Sequence, residues 1–220
     1  MRFSVIYPAA VLGVAVLGSC APAADSEAAT TAGAEMAAAE TQGETQGETQ
    51  GLSCFLRGAT PEEAAQRPSP LGETEIAFEG QSGKFCYGRP SMNERVVMGE
   101  FVPFGEPWRM GANEAAAIHL PFAATVGGID LEPGSYSIFA IPGELEWEFV
   151  INGNFERWGI PLDDAVRSTD IGSFTSMARR LTEPVEQFTV NWHTHGGNEG
   201  HLVLDWETTR VEIGVNLTGA

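Results

Sequence analysis

In most of the runs between Thr74 and Leu217, apolar residues fall at every second position, and glycine or proline breaks the runs. That period belongs to strands buried on one face. Ile76 and Phe78 share a face, as do Phe85 and Tyr87. Ala116, Ile118 and Leu120 point one way while Ala117 and His119 point the other. Thr125-Val126 and Ile129-Asp130-Leu131 flank Gly127-Gly128, a two-residue hairpin signal. Glu132-Pro133-Gly134 turns into Ser135 to Ile141, and Pro142-Gly143-Glu144 turns out of it. Trp147, Phe149 and Ile151 then alternate with Glu148, Val150 and Asn152. Val211, Ile213, Val215 and Leu217 form a clean final strand. Short strands joined by such turns predict a mostly β domain, either an antiparallel β-sandwich or a barrel-like closed sheet.

Two short helices interrupt the pattern. Thr60-Pro61-Glu62-Glu63 has Thr as N-cap, Pro at the first position and Glu at the third, a helix start near the domain's N-terminal end. It stops by Arg67-Pro68. Asp163-Asp164 is placed to cap a second, and Phe174 to Leu181 reads as a strand.

The residues before this domain have a different character. Arg2 is a minimal positive region, and Val5 to Leu17 is an apolar run of signal-peptide length, too short to span a bilayer. Leu17-Gly18-Ser19-Cys20 resembles a bacterial lipobox, in which the cysteine is lipidated and becomes the mature N-terminus. Ordinary cleavage after Ala21-Pro22-Ala23 is the competing reading. Residues 1–20 are thus expected to be a lipoprotein signal peptide ending at Cys20. The product would be exported and anchored to a membrane by lipid, facing the periplasm or the cell exterior. Residues 21–51 are rich in Ala, Glu, Thr, Gly and Gln. Glu40-Thr41-Gln42-Gly43 recurs twice, a pattern of no packed repeat, so the segment is expected to be a disordered tether. The single folded domain is expected over 52–220.

With Cys20 assigned to lipid, Cys54 and Cys86 remain. An even pair in an oxidising compartment predicts a disulfide, here closing a loop of about thirty residues. The formal net charge of the chain is −18. Most of it lies after Leu52, so nucleic acid and anionic membrane surfaces are poor partners.

The densest group of special-geometry residues, charges and large aromatics lies between Phe85 and Glu114. Arg89, Trp108, Arg109, Asn113 and Glu114 are the candidate ligand-binding residues. A turn through Gly111-Ala112 would pair Arg109 with Glu114. Trp108 offers a flat ring to a sugar or a guanidinium, and the arginines suit a carboxylate or phosphate. The blander reading of the same residues is an internal polar network that fixes loop geometry around a buried tryptophan.

A second group lies in one hairpin. Pairing Phe188, Val190 and Trp192 with Trp206, Leu204 and Leu202 aligns both apolar faces. The same register sets His193 opposite His201, with His195 in the loop beside them. Three imidazoles so placed could take a divalent transition metal; otherwise they are exposed loop histidines. No Gly-x-Ser-x-Gly elbow, Cys-x-x-Cys or Gly-rich phosphate loop is present. The adjacent carboxylates Glu62-Glu63 and Asp163-Asp164 need not converge on one substrate.

Several motifs together carry a resemblance. Gly88-Arg89-Pro90-Ser91, Val102-Pro103-Phe104-Gly105 and Trp108-Arg109-Met110-Gly111-Ala112-Asn113-Glu114 come first. Pro133-Gly134-Ser135-Tyr136-Ser137, Ile141-Pro142-Gly143, Glu183-Pro184-Val185-Glu186 and Leu204-Asp205-Trp206-Glu207 follow. From about 67 to 215 the chain resembles the secreted bacterial proteins grouped as domain of unknown function 2911. The Cys54/Cys86 pair resembles that of a subgroup with an N-terminal extension. The resemblance implies export and a mostly β fold, and no particular chemistry. Two functions follow as expectations. One is a non-catalytic envelope module binding a small ligand, a glycan or a protein, with no resident cofactor. The other is a metal-assisted enzyme using His193, His195 and His201.

Overall fold

The computed structural model describes residues 52–218. The expected signal peptide, Cys20 and the 21–51 tether lie outside the described residues. Helix α1 (Pro61–Ala65) starts where the sequence places it: Thr60 accepts from Glu63 N–H, and the Glu63 side chain accepts from Thr60 N–H, a complete capping box.

The strands follow as β1 (Leu71–Phe78), β2 (Gln81–Gly88), β3 (Ala117–Leu120), β4 (Ala124–Val126), β5 (Ile129–Leu131), β6 (Gly134–Ile141) and β7 (Glu146–Asn152). Helix α2 (Asp164–Arg167), β8 (Asp170–Met177), β9 (Arg179–Gly196) and β10 (Glu199–Leu217) complete the order. They form two antiparallel sheets, one ordered β1-β2-β3-β6-β7-β8 and the other β5-β4-β10-β9. Both sheets end in edge strands, so the barrel-like closure is not what forms. The apolar faces of the two sheets share one core: Ile76, Phe85, Ile118, Phe149 and Ile151 come from the first, and Val126, Val190, Leu204, Val211 and Ile213 from the second. Burying such side chains away from water is the main stabilising term, about 25 cal/mol per Å² of apolar surface.

Local details follow the turn chemistry. Gly127 and Gly128 have φ of 59° and 86°, the left-handed pair a two-residue hairpin between β4 and β5 requires. Asp163 caps α2 by accepting from Val166 N–H at 3.1 Å. The following strand starts at Asp170, four residues earlier than the expected Phe174, and breaks before Arg179. The reason is pairing with β7: Asn152 faces Asp170 and donates to its carboxylate at 2.8 Å, which begins the ladder there.

The β9–β10 register places His201 opposite His193, Leu202 opposite Trp192 and Leu204 opposite Val190, as the alternation demands. The expected fourth pair, Phe188 with Trp206, does not form as a ladder pair. A bulge after Asp205 shifts the register so that Glu207 faces Val185, although the two rings still pack with centroids 5.8 Å apart. Glu207 has φ 51°, and around it β10 folds back on itself. Asp205 and Arg210 form a two-pronged ion pair at 2.7 Å, and Leu217 N–H donates to Asn198 C=O at 2.8 Å. The His201 ring consequently lies over Gly214.

Candidate functional site

The segment between β2 and β3 carries the longest stretch of irregular backbone between strands, and several clamps hold it. Pro90 C=O accepts from Phe188 N–H, and Met92 N–H donates to Glu186 C=O. Trp108 exchanges two main-chain hydrogen bonds with Ala140 of β6, at 2.7 and 2.9 Å. Ala115 N–H donates to Arg157 C=O, and Gly159 N–H to Asn113 C=O. Between these clamps, Met110, Gly111 and Asn113 all have positive φ, at 55°, 127° and 65°. Glycine adopts that region freely and asparagine more readily than most residues, which explains their place in the Trp-Arg-x-Gly-Ala-Asn-Glu run. Met110 is held there by its side chain, which is fully buried in the core.

These turns send neighbouring side chains to different places. Trp108 and Arg109 line an open cleft of about 440 Å³ with Ser69, Ser91, Asn93, Arg95 and Phe101. The Trp108 ring stacks on Trp206 with centroids 5.8 Å apart and meets Trp147 and Phe188 in T-shaped contacts. It is a rigid, half-buried wall. Arg109 lays its stem across Gly159 and donates from Nε to Gly111 C=O at 3.3 Å. Among the described residues it has no carboxylate partner, and burial lowers its pKa below the ordinary arginine value. Arg95 is fixed differently. It lies 4.0 Å over the Phe101 ring and donates to Met92 C=O and Ser91 C=O. It too has no acidic partner among the described residues.

Glu114 and Asn113 face elsewhere. The expected Arg109–Glu114 pair is replaced by Arg67–Glu114, with Nη1 to Oε2 at 2.7 Å. The left-handed Asn113 turns the chain, and Glu114 bridges to Trp158 and lines a small void with Arg67, Cys86 and Tyr87. Glu114 Oε1 is buried without a hydrogen-bond partner among the described residues. The void measures about 10 Å³, close to what one water needs. The Asn113 amide donates to Ser69 C=O at 2.8 Å. Arg89 does not reach the cleft. It spans the sheets, donating to Phe188 C=O and to Thr189 Oγ1, and packs over Gly72. The internal polar network therefore claims Arg89, Asn113 and Glu114, while Trp108 and Arg109 remain at a surface a ligand can reach.

Cys54 and Cys86 form the expected disulfide, with Cα atoms 5.7 Å apart. It ties the segment before β1 to β2, and that segment supplies Arg67 to Glu114 and Pro68 and Ser69 to the cleft.

The hairpin histidines are arranged differently from the expected trio. His195 Nε2 lies 2.6 Å from His201 Nδ1, with the rings edge to face. The ladder shifts between Glu199 and Gly200, which leaves His195 beside His201. His193 stays in register but outside that contact. No group of three or more His, Cys, Asp or Glu side chains gathers for a metal ion among the described residues.

One contact was not anticipated. His119 Nδ1 lies 2.8 Å from Ser135 Oγ on the outer face of the first sheet. The imidazole is almost wholly buried under Phe155, and its Nε2 has no partner among the described residues. A serine hydrolase needs its histidine oriented from the far nitrogen and its serine open to substrate. The first condition is not met among the described residues, since Nε2 has no partner there. The alternation placed His119 on this face, but nothing local in the sequence pointed to Ser135 as its partner. Arg95, Ser91 and Phe101 lie inside the stretch the sequence singled out. Ser69 lies far upstream in sequence, and the disulfide-tied segment delivers it.

Fold and site define a mostly β protein with two antiparallel sheets among the described residues, and a cleft walled by aromatics and arginines at one irregular connection. Residues 69–215 match the profile of the family described as Protein of unknown function (DUF2911), and the chain belongs to that family. No curated protein matches the chain, and no solved structure does.

Proposed function

We propose that this protein is an exported, lipid-anchored envelope module. Its domain, read as a β-sandwich, holds a small anionic ligand in the cleft beside Arg109 without transforming it. One observation carries the ligand reading. Arg109 is a half-buried guanidinium with no acidic partner among the described residues, in a chain of formal net charge −18. Carboxylates are plentiful in this chain, so an arginine at a cleft wall that pairs with none of those in the described residues is an anion site in waiting. Calorimetric titration of the detergent-solubilised protein with small carboxylates and phosphates tests it. Binding that is lost in Arg109→Gln is the expected result; no binding by any anion sinks the reading. The anchor is tested separately. Cys20→Ala should release the protein from the membrane fraction and abolish acyl labelling.

A second reading rests on the His195–His201 contact. Two imidazoles 2.6 Å apart need only a small ring rotation to share a divalent transition metal. A metal-assisted enzyme would then centre on the hairpin tip. Metal analysis of the purified protein decides it: stoichiometric metal that disappears in His201→Ala supports it, and metal-free protein removes it.

A further inference from the structure

The cleft can be read for the kind of anion it would take, on the premise that it binds one at Arg109. Three features narrow the choice.

The first is the shape of the donor. Arg109 already uses Nε on Gly111 C=O, while Nη1 and Nη2 make no hydrogen bond among the described residues. What remains is the end of a planar fork, two parallel N–H groups spaced to meet two oxygens in one plane. A carboxylate presents that pair.

The second is the surrounding charge. Glu94, Glu100 and Glu106 are exposed next to the lining residues Arg95, Phe101 and Pro107, in a chain already at −18. Repulsion grows with each charge on the ligand. A monoanion is favoured over a phosphate dianion.

The third is the rest of the wall. Trp108, Pro68, Pro90, Pro107 and Ile160 give flat or rigid apolar surface. Between them, the Ser69 and Ser91 hydroxyls and the Asn93 side-chain amide have no hydrogen-bond partner among the described residues. A ligand with a C–H face on one side and hydroxyls around its rim matches both. At about 440 Å³ the cleft is near the lower end of small-ligand sites, which span roughly 300–1,000 Å³. It has room for a sugar ring or two.

We infer that the cleft takes a monocarboxylated sugar, a uronic acid residue free or at the end of a glycan. Its carboxylate meets Arg109 Nη1 and Nη2 end-on, and its ring lies against Trp108. Arg95, pinned over Phe101, adds a second positive charge at the rim. Rigid aromatic and proline walls lose little entropy when a ring settles on them, which favours binding.

The test is titration of the full-length protein in detergent with four probes: glucuronate, its methyl ester, acetate and inorganic phosphate. Glucuronate is expected to bind at least tenfold more tightly than the neutral ester and at least tenfold more tightly than acetate or phosphate. Arg109→Gln should lose at least tenfold of the glucuronate affinity. Ser91→Ala should weaken glucuronate and leave acetate unchanged. If Arg109→Gln proves unstable, Arg109→Lys keeps the charge without the fork and should lose glucuronate affinity just the same. Acetate or phosphate binding as tightly as glucuronate, still through Arg109, overturns the sugar assignment and leaves the anion site standing. Failure of all four probes removes both.

Discussion

The backbones of Gly88 and Gly111 lie against each other, so that a Cβ on Gly111 would clash with the Gly88 carbonyl oxygen. A Cβ on Gly88 would likewise run into the carbonyl of Ala112. The end of β2 and the loop that carries Trp108 and Arg109 therefore meet main chain to main chain. Glycine at both positions is a packing requirement, and at Gly111 also a requirement of its φ of 127°. Gly88→Ala should destabilise the domain by about 1–3 kcal/mol, because backbone cannot step aside as a side chain does. Gly153→Ala is the control. Its Cβ would sit 3.6 Å from Thr169 C=O, an ordinary contact, and should change stability by no more than about 0.5 kcal/mol. Thermal unfolding followed by circular dichroism reads both, and equal midpoints would contradict the close approach.

The two arginines nearest in role to Glu114 should separate cleanly. Arg67→Met removes the cation from a nine-tenths buried carboxylate and should cost about 3–5 kcal/mol. Arg109→Met keeps a stem over Gly159 and breaks no ion pair, so about 1 kcal/mol or less is expected. Urea denaturation of the two variants measures this. A larger loss from Arg109→Met would mean that Arg109 belongs to the internal network.

Replacing Cys54 and Cys86 together by serine opens a loop whose ends are 32 residues apart. The chain-entropy estimate for such a loop is about 3–4 kcal/mol. The effect should extend to the cleft, since the freed segment carries Pro68 and Ser69. Hydrogen exchange should speed up at Ser69 and Asn113 before it does in β6 or β7. Uniform acceleration across the domain would show that the bridge acts only globally.

Acid sensitivity should trace in part to His119. Burial, with Lys84 adding to it, holds this imidazole below its ordinary value. The unfolded chain takes up its proton near pH 6.5, before the folded protein does. Stability is therefore full above that pH and declines as pH falls toward the folded value. His119→Gln should flatten the midpoint-versus-pH curve between about pH 7.5 and 5.5. An unchanged slope would place the sensitivity in other groups.

Strands such as β1 were legible because one face meets the core and the other solvent, so the period of two survives in the sequence. Register at the β9–β10 hairpin could be read for the same reason. Leu202, Leu204, Val190 and Trp192 must all face inward, and only one alignment allows it. The bulge at Asp205 was hidden because it turns on Glu207 at positive φ, a conformation that glutamate rarely signals. The candidate site was half legible. The run from Phe85 to Glu114 holds both the cleft wall and the network behind it, but adjacency in sequence suggested that Arg109 and Glu114 meet. Three left-handed residues send them apart, and the true partner of Glu114 arrives from Arg67, 47 positions away. Contacts that long depend on how separate segments dock, which no local pattern encodes.

The fold-back of β10 has a temporal side. This strand comes after every other strand of both sheets, yet it lies inside its own sheet, between β4 and β9. Until its residues are available, β4-β5 and β9 have no common neighbour in the second sheet. A chain that emerges from its N-terminus would thus complete the second sheet only when β10 arrives.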